Sequence, residues 1–200
     1  DWESVRLHEI AKKLGISLND IHAEFSEKDQ LIDAWFDRAD RAMLADAAEY
    51  PKLARTCQQR MHRAIMTWLN ALSHHRRVTR QMILGKLEPG HIHIQIPALI
   101  RISRTVQWMR EAAGYDVSLP RRAVEEAAHT SIYLATFSYW MFDESFGSER
   151  TGRFLERQLE RANRLFRCRG DQTGELRDIR SAGATATDTG EVTGKANRPG

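Results

Sequence analysis

The sequence predicts an all-α protein, and three observations carry that prediction. Almost every segment after residue 31 repeats its apolar residues at helical spacing. The stretch from Ser4 to Leu31 reads as two short helices around a glycine turn, then the start of a third. The only strand-like run, His91-Ile92-His93-Ile94-Gln95-Ile96-Pro97, has no partner strand and reads as a loop or a short irregular cover.

In the first predicted helix Ile10, Ala11 and Leu14 share a face. Gly15 follows, where a left-handed backbone turn favours a residue without Cβ. Ser17 stands at an N-cap, with Asp20 three residues on in the pattern of a capping box. Ile21 and Phe25 give the second helix its buried side. Ser26 reads as the next cap, with Asp29 at the matching position. Helix, glycine turn and capped helix is the organisation of a helix-turn-helix, whose second helix lies in the major groove.

Gly15-Ile16-Ser17, then Ile21, Phe25, Lys28 and Leu31, resemble the signature of the TetR-type transcriptional regulators. The resemblance implies a TetR-like fold with an N-terminal DNA-reading module and a helical ligand-binding and dimerisation domain. It places Ser17, Leu18, Asn19 and His22 against DNA, with Lys28 as a phosphate clamp. The implied partners are a pseudo-palindromic operator, a second copy of the chain and a small-molecule effector. Proteins of this type carry a further helix upstream, so the first helix of the module is expected to be missing from this sequence.

Charge pulls the other way. Between Asp1 and Ala45, six cations stand against ten anions, a net −4 on the reading unit. The whole chain is +3, with a sequence pI near 9.0, so its basic excess lies elsewhere. An acidic reading head argues against tight DNA binding, which depends on cations placed against phosphate.

The chain's 200 residues, 42% hydrophobic and 28% charged, suffice for one sizeable helical core and a small module. No run of 18 apolar residues appears, so no membrane span is expected. Cys57 and Cys168 lie far apart without metal or redox spacing and read as thiols in a reducing cytoplasm. The expected division is 1–46 for the reading module, 47–168 for the larger domain, and 169–200 for a disordered tail poor in large apolar residues.

The third helix continues through Ile32, Trp35, Phe36, Ala39, Met43 and Leu44, with Asp33, Asp37, Asp40 and Arg41 on the opposite face, until Tyr50-Pro51 breaks it. The next runs from about Leu53 to Leu72, burying Met61, Ile65, Trp68, Leu69 and Leu72. A His74-His75-Arg76-Arg77 corner leads into Val78 to Leu87, which Pro89-Gly90 ends. Residues 98–112 form a helix carrying Val106, Trp108 and Met109, closed by Gly114. Ser118 caps a helix that opens through Pro120 and reaches about Phe142. One face of it is small (Ala127, Ala128, Ser131, Ala135, Ser138) and another aromatic (Tyr133, Phe137, Trp140). The last helix, about Glu149 to Cys168, has Leu155, Leu159, Ala162 and Phe166 in a stripe, and Gly170 stops it.

Trp68, Met82, Trp108, Tyr133, Phe137 and Trp140 come from four helices that would surround one cavity in the family fold. Such an apolar cavity suits a hydrophobic or amphipathic ligand. The TetR-type resemblance implies that the last two helices pair with those of a second chain. The candidate dimer face is therefore Ala128, Ser131, Ala135, Leu155, Leu159, Ala162 and Phe166.

A second resemblance covers the C-terminal part. Val106-Gln107-Trp108, Ala113-Gly114, Arg121-Arg122-Ala123, Asp143-x-Ser145 and Thr151-x-Arg153-Phe154-Leu155-Glu156 are similar to the COQ-type accessory proteins of ubiquinone biosynthesis. Those share a TetR-like fold and bind lipid, which gives the alternative to a regulator. No zinc-like ligand set stands out among the histidines, and no metal or cofactor is expected. No glycine-rich phosphate loop, nucleophile elbow or carboxylate pair suggests an enzyme. The leading expectation is a repressor released from DNA by a hydrophobic small molecule.

Overall fold

The computed structural model describes residues 2–50, 56–86, 92–115 and 121–165. Among them run eight α-helices: α1 (Leu7–Leu14), α2 (Leu18–Glu24), α3 (Asp29–Glu49), α4 (Cys57–Leu72), α5 (Arg76–Lys86), α6 (Ile92–Ala113), α7 (Arg121–Trp140) and α8 (Glu149–Leu165). Short 3-10 turns at Ser73–His75 and Phe146–Ser148 join α4 to α5 and lead into α8. No helix among the described residues is long and apolar enough to cross a membrane.

The α1–α2 corner follows from its glycine. Gly15 has φ +68° and ends α1, and the N–H of Ile16 bonds to the carbonyl of Ala11 at 3.1 Å. Ser17 then caps α2 with a complete capping box. Its Oγ accepts from the N–H of Asp20 at 3.1 Å, and its own N–H donates to Asp20 Oδ2 at 2.8 Å. Ala11 and Ile21 are buried in this module, with Ile10 and Phe25 half-buried. Leu14 does not join them and is exposed.

Ser26 does not cap α3. That helix begins at Asp29 behind a turn through Lys28, with no side-chain cap. The N–H of Ser26 donates to Gln30 Oε1 at 2.7 Å, so a side chain from the helix reaches back to it. α3 then runs for 21 residues, roughly 30 Å at about 1.5 Å per residue. Its buried stripe is Ile32, Phe36, Ala39 and Met43, which packs on α4 and α6.

α4 starts at a second capping box, in which the Thr56 hydroxyl and the Gln59 amide satisfy each other's backbone N–H groups. Residues 51–55 lie outside the described residues. α6 begins at Ile92, six residues before the expected start, and takes in residues 92–97 of the run expected as a loop. The sequence accommodates this because Ile92, Ile96, Leu99 and Ile100 also fall at i, i+4, i+7 and i+8. The expected caps Ser118 and Pro120 lie outside the described residues, as do Phe166, Cys168, Gly170 and the tail. Cys57 is buried and disulfide-bonded, where the sequence suggested a reduced thiol.

The α7–α8 corner explains the Asp143-x-Ser145 motif. Asp143 Oδ1 accepts from the N–H and the hydroxyl of Ser145, at 2.9 and 2.6 Å. Oδ2 accepts from the N–H and the hydroxyl of Thr151 at the same two distances. Burial pushes this carboxyl up, but the four bonds win and hold it well below the usual carboxylate range. Arg76 completes the clasp, donating to the Asp143 carbonyl and, at 2.6 Å, to the Ser148 hydroxyl. That bond helps hold Ser148 at φ +58°, a left-handed conformation that costs a residue with Cβ about 1–2 kcal/mol. The motif therefore serves to turn the chain between two helices.

Candidate functional site

α2 carries the candidate reading surface. Ser17, Leu18, Asn19 and His22 are all exposed, on and just before the first turns of a helix whose N-terminus is fixed by its cap. Asp20, in the same turn, is engaged in that cap. The hydroxyl and N–H of Ser17 both donate to it and lower its pKa. Its charge is thus partly answered within the helix start.

Lys28, expected as a phosphate clamp, also contacts the chain itself. Its Nζ donates to the carbonyl oxygen of Trp2 at 2.8 Å and lies 4.6 Å from the centre of the Trp2 ring. Trp2 is buried, packed with the core of the larger domain, and its N–H donates to Gln81 of α5. Residues 2–5 thereby tie the module to the body.

The acidic balance of the reading unit also has a structural answer. Asp33 and Asp37 keep half-exposed side chains, and Asp40 is largely covered. They line up at i, i+4 and i+7 on α3 and gather around Arg101 of α6, at 3.9, 2.7 and 3.6 Å. Three of the ten carboxylates counted against DNA binding thus share one cation of the larger domain, and Asp40 alone among them is largely withdrawn from solvent.

The interior of the larger domain is aromatic. Trp68, Tyr133, Phe137, Trp140 and Met82, all expected at an effector cavity, are buried in one cluster with Phe36. Trp68 stacks on Phe36 at 5.7 Å and meets Tyr133 and Phe137 edge-on at 5.4 and 5.8 Å. Trp108 does not join them and is 48% exposed. The buried stripe of α6 is Thr105, Val106, Met109, Arg110 and Ala113, and Trp108 projects off it.

Polar groups line this interior that the sequence pattern did not single out. Trp68 Nε1 donates to Asp40 Oδ1 at 2.7 Å, and the Thr105 hydroxyl donates to the same carboxylate at 3.2 Å. Burial, with the nearby Asp40 charge, raises the Tyr133 phenol well above its ordinary pKa. Further along α6 and α7, Arg110, Glu125 and His129 are buried together, with Arg110 Nη1 3.1 Å from His129 Nδ1. Burial and the Arg110 charge push His129 down to about 4, so Nδ1 of a neutral imidazole accepts from the guanidinium. Among the described residues no three metal-ligating side chains come together.

The expected dimer face divides in two. Leu155 and Leu159 are at most 2% exposed and belong to the chain's own core, because α8 lays its stripe on α4 and α7. They are not available to a second chain. Ser131 and Ala135 are exposed on α7, Ala128 and Ala162 are half-buried, and Phe166 lies outside the described residues. Beside them Tyr139 and Phe154 stack face to face at 4.9 Å across the α7–α8 seam, and Val124 and Phe142 are exposed.

The chain resembles a TetR transcriptional regulator from Nitrosomonas europaea ATCC 19718, with 53% identity and a TM-score of 0.72, over 81% of this chain and 88% of that one. It belongs to the TetR family of transcriptional regulators. A TetR transcriptional regulator from Rhodococcus sp. RHA1 shares the fold at 18% identity, with a TM-score of 0.60 over 80% of this chain and 85% of that one. No protein-family model and no curated protein matches the chain.

Membership of the TetR family fixes the sense of the two-part architecture. The short α1–α2 module is its helix-turn-helix, and α3 is the structural link from that module to the body. Transcription regulation and DNA binding follow at the level of the family.

Proposed function

We propose that this TetR-family protein is a homodimeric repressor that leaves its operator when a hydrophobic or amphipathic small molecule enters the larger domain. Each protomer presents Ser17, Leu18, Asn19 and His22 to one half-site of a pseudo-palindromic operator. The observation that carries this reading is the exposure of those four side chains together on a capped α2, while Asp33, Asp37 and Asp40 turn to Arg101. Trp68, Tyr133, Phe137, Trp140 and Met82 are the proposed effector-contacting surface, and the exposed small face of α7 is the proposed contact with the second chain. Effector binding would change DNA affinity by linkage between the two sites.

The test is selection of genomic fragments at low and at physiological salt. Enrichment of a few sites sharing an inverted repeat, with affinity falling steeply as salt rises, is the expected result. Weak recovery without sequence preference, vanishing at physiological salt, overturns the reading.

A further inference from the structure

Asp40 occupies an unusual position. It lies on α3, the helix that continues into the DNA-reading module, and it is the innermost of three carboxylates around Arg101. Its two oxygens are divided between two sets of partners. Trp68 Nε1 bonds Oδ1 at 2.7 Å from α4, and the Thr105 hydroxyl reaches both oxygens from α6, at 3.2 and 3.3 Å. Arg101 Nη2 lies 3.6 Å from Oδ2 and 2.7 Å from Asp37 Oδ1. Trp68 is also the centre of the aromatic interior, in ring contact with Phe36, Tyr133 and Phe137. One carboxylate thus joins the ring most embedded in the interior to the cation that holds α3 along its length.

We propose that Asp40 is a positioning residue: it transmits the orientation of the Trp68 ring to Arg101 and thereby sets where α3 lies along α6. The physical basis is competition for one cation. Asp33, Asp37 and Asp40 are spaced one turn apart, so Arg101 can exchange partners as α3 slides, without losing charge compensation. The Trp68 and Thr105 bonds fix which exchange is in force, because a rotated indole no longer reaches Asp40. Coupling of this kind is read as non-additive energetics in a double-variant cycle. Its consequence for DNA rests on the regulator reading above.

The experiment is amide hydrogen exchange on the full chain without DNA, comparing wild type, Trp68→Phe, Arg101→Ala and the double variant. Trp68→Phe keeps a ring and removes the N–H. Loss of that charge-assisted bond corresponds to roughly tenfold faster exchange over residues 33–43. The expected pattern is acceleration there and in 7–25, no change in α8, and a double variant no faster than Arg101→Ala alone. Thr105→Val, which removes the other Asp40 donor at nearly constant volume, should act like Trp68→Phe and serves if the latter fails to fold. Unchanged exchange over 33–43, equal acceleration of α3 and α8, or effects that simply multiply in the double variant each overturn the proposal. Operator affinity is measured separately: lost DNA binding with the exchange pattern intact sinks the regulator reading alone.

Discussion

Lys28 Nζ is bonded to the carbonyl oxygen of Trp2 and stands 4.6 Å from the centre of its ring. The pair closes the segment before α1 onto the start of α3. Lys28→Ala should therefore lower stability by about 1–2 kcal/mol, from a charged hydrogen bond and a cation–π contact. Trp2→Ala should cost more, about 3–5 kcal/mol, because a buried ring leaves the core. Denaturant titration reads both. The salt dependence of operator binding should be the same in Lys28→Ala as in wild type, and a slope flattened by one phosphate contact would return Lys28 to the DNA.

His129 makes stability depend on pH. Its folded pKa, near 4, lies below the ordinary histidine value near 6.5 because of burial and the Arg110 charge. The unfolded chain takes up a proton first as pH falls, so stability is fully present above about 6.5 and is lost progressively towards 4. The loss should be about 3 kcal/mol, since each tenfold difference in proton affinity between the folded and unfolded chain is worth about 1.4 kcal/mol. Unfolding free energies between pH 7 and pH 4 measure it, and His129→Gln should flatten that dependence. A curve unaffected by the substitution would place the imidazole in contact with solvent.

Two buried indoles should respond differently to removal of their N–H. Trp68 Nε1 is bonded to Asp40, whereas Trp140 Nε1 is buried without a hydrogen-bond partner among the described residues. Both substitutions to Phe remove similar volume. Trp68→Phe should cost about 2 kcal/mol more than Trp140→Phe, since it also deprives the largely covered Asp40 carboxylate of a donor. Equal costs by chemical denaturation would mean that packing alone decides at both positions.

Ala135 and Leu155 should separate assembly from folding. Ala135→Arg places a charge on the exposed small face of α7 and should shift the protein from dimer to monomer with little change in helix content. Leu155→Ala removes a fully buried side chain and should cost about 2–5 kcal/mol of chain stability. Light scattering and thermal unfolding distinguish the two effects. A dimer that survives Ala135→Arg would move the interface to another surface.

The fold was legible because helical periodicity and caps are local. Gly15 and the Ser17–Asp20 box appear in the structure as the sequence suggested. The His91 to Pro97 run misled because six residues of alternation satisfy a strand and a helix face alike. The sites were less legible because their geometry is tertiary. Nothing local distinguishes Trp108, exposed, from Trp68, buried, and nothing local tells Leu155 that α4 will cover it. The pairing of Asp33, Asp37 and Asp40 with Arg101 could not be read because that cation is more than sixty residues away in the chain. A row of three like charges one turn apart was the available signal that some cation must face it.

Trp2 seats the segment before α1 in the body, and α3 carries the chain on from α2 into it. A body suspended at two points retains mainly rotation about the line between them. The recognition helix should thus swing along a single arc. An operator would then sense one angle per protomer, and any event inside the protein would have to be expressed as a turn about that axis.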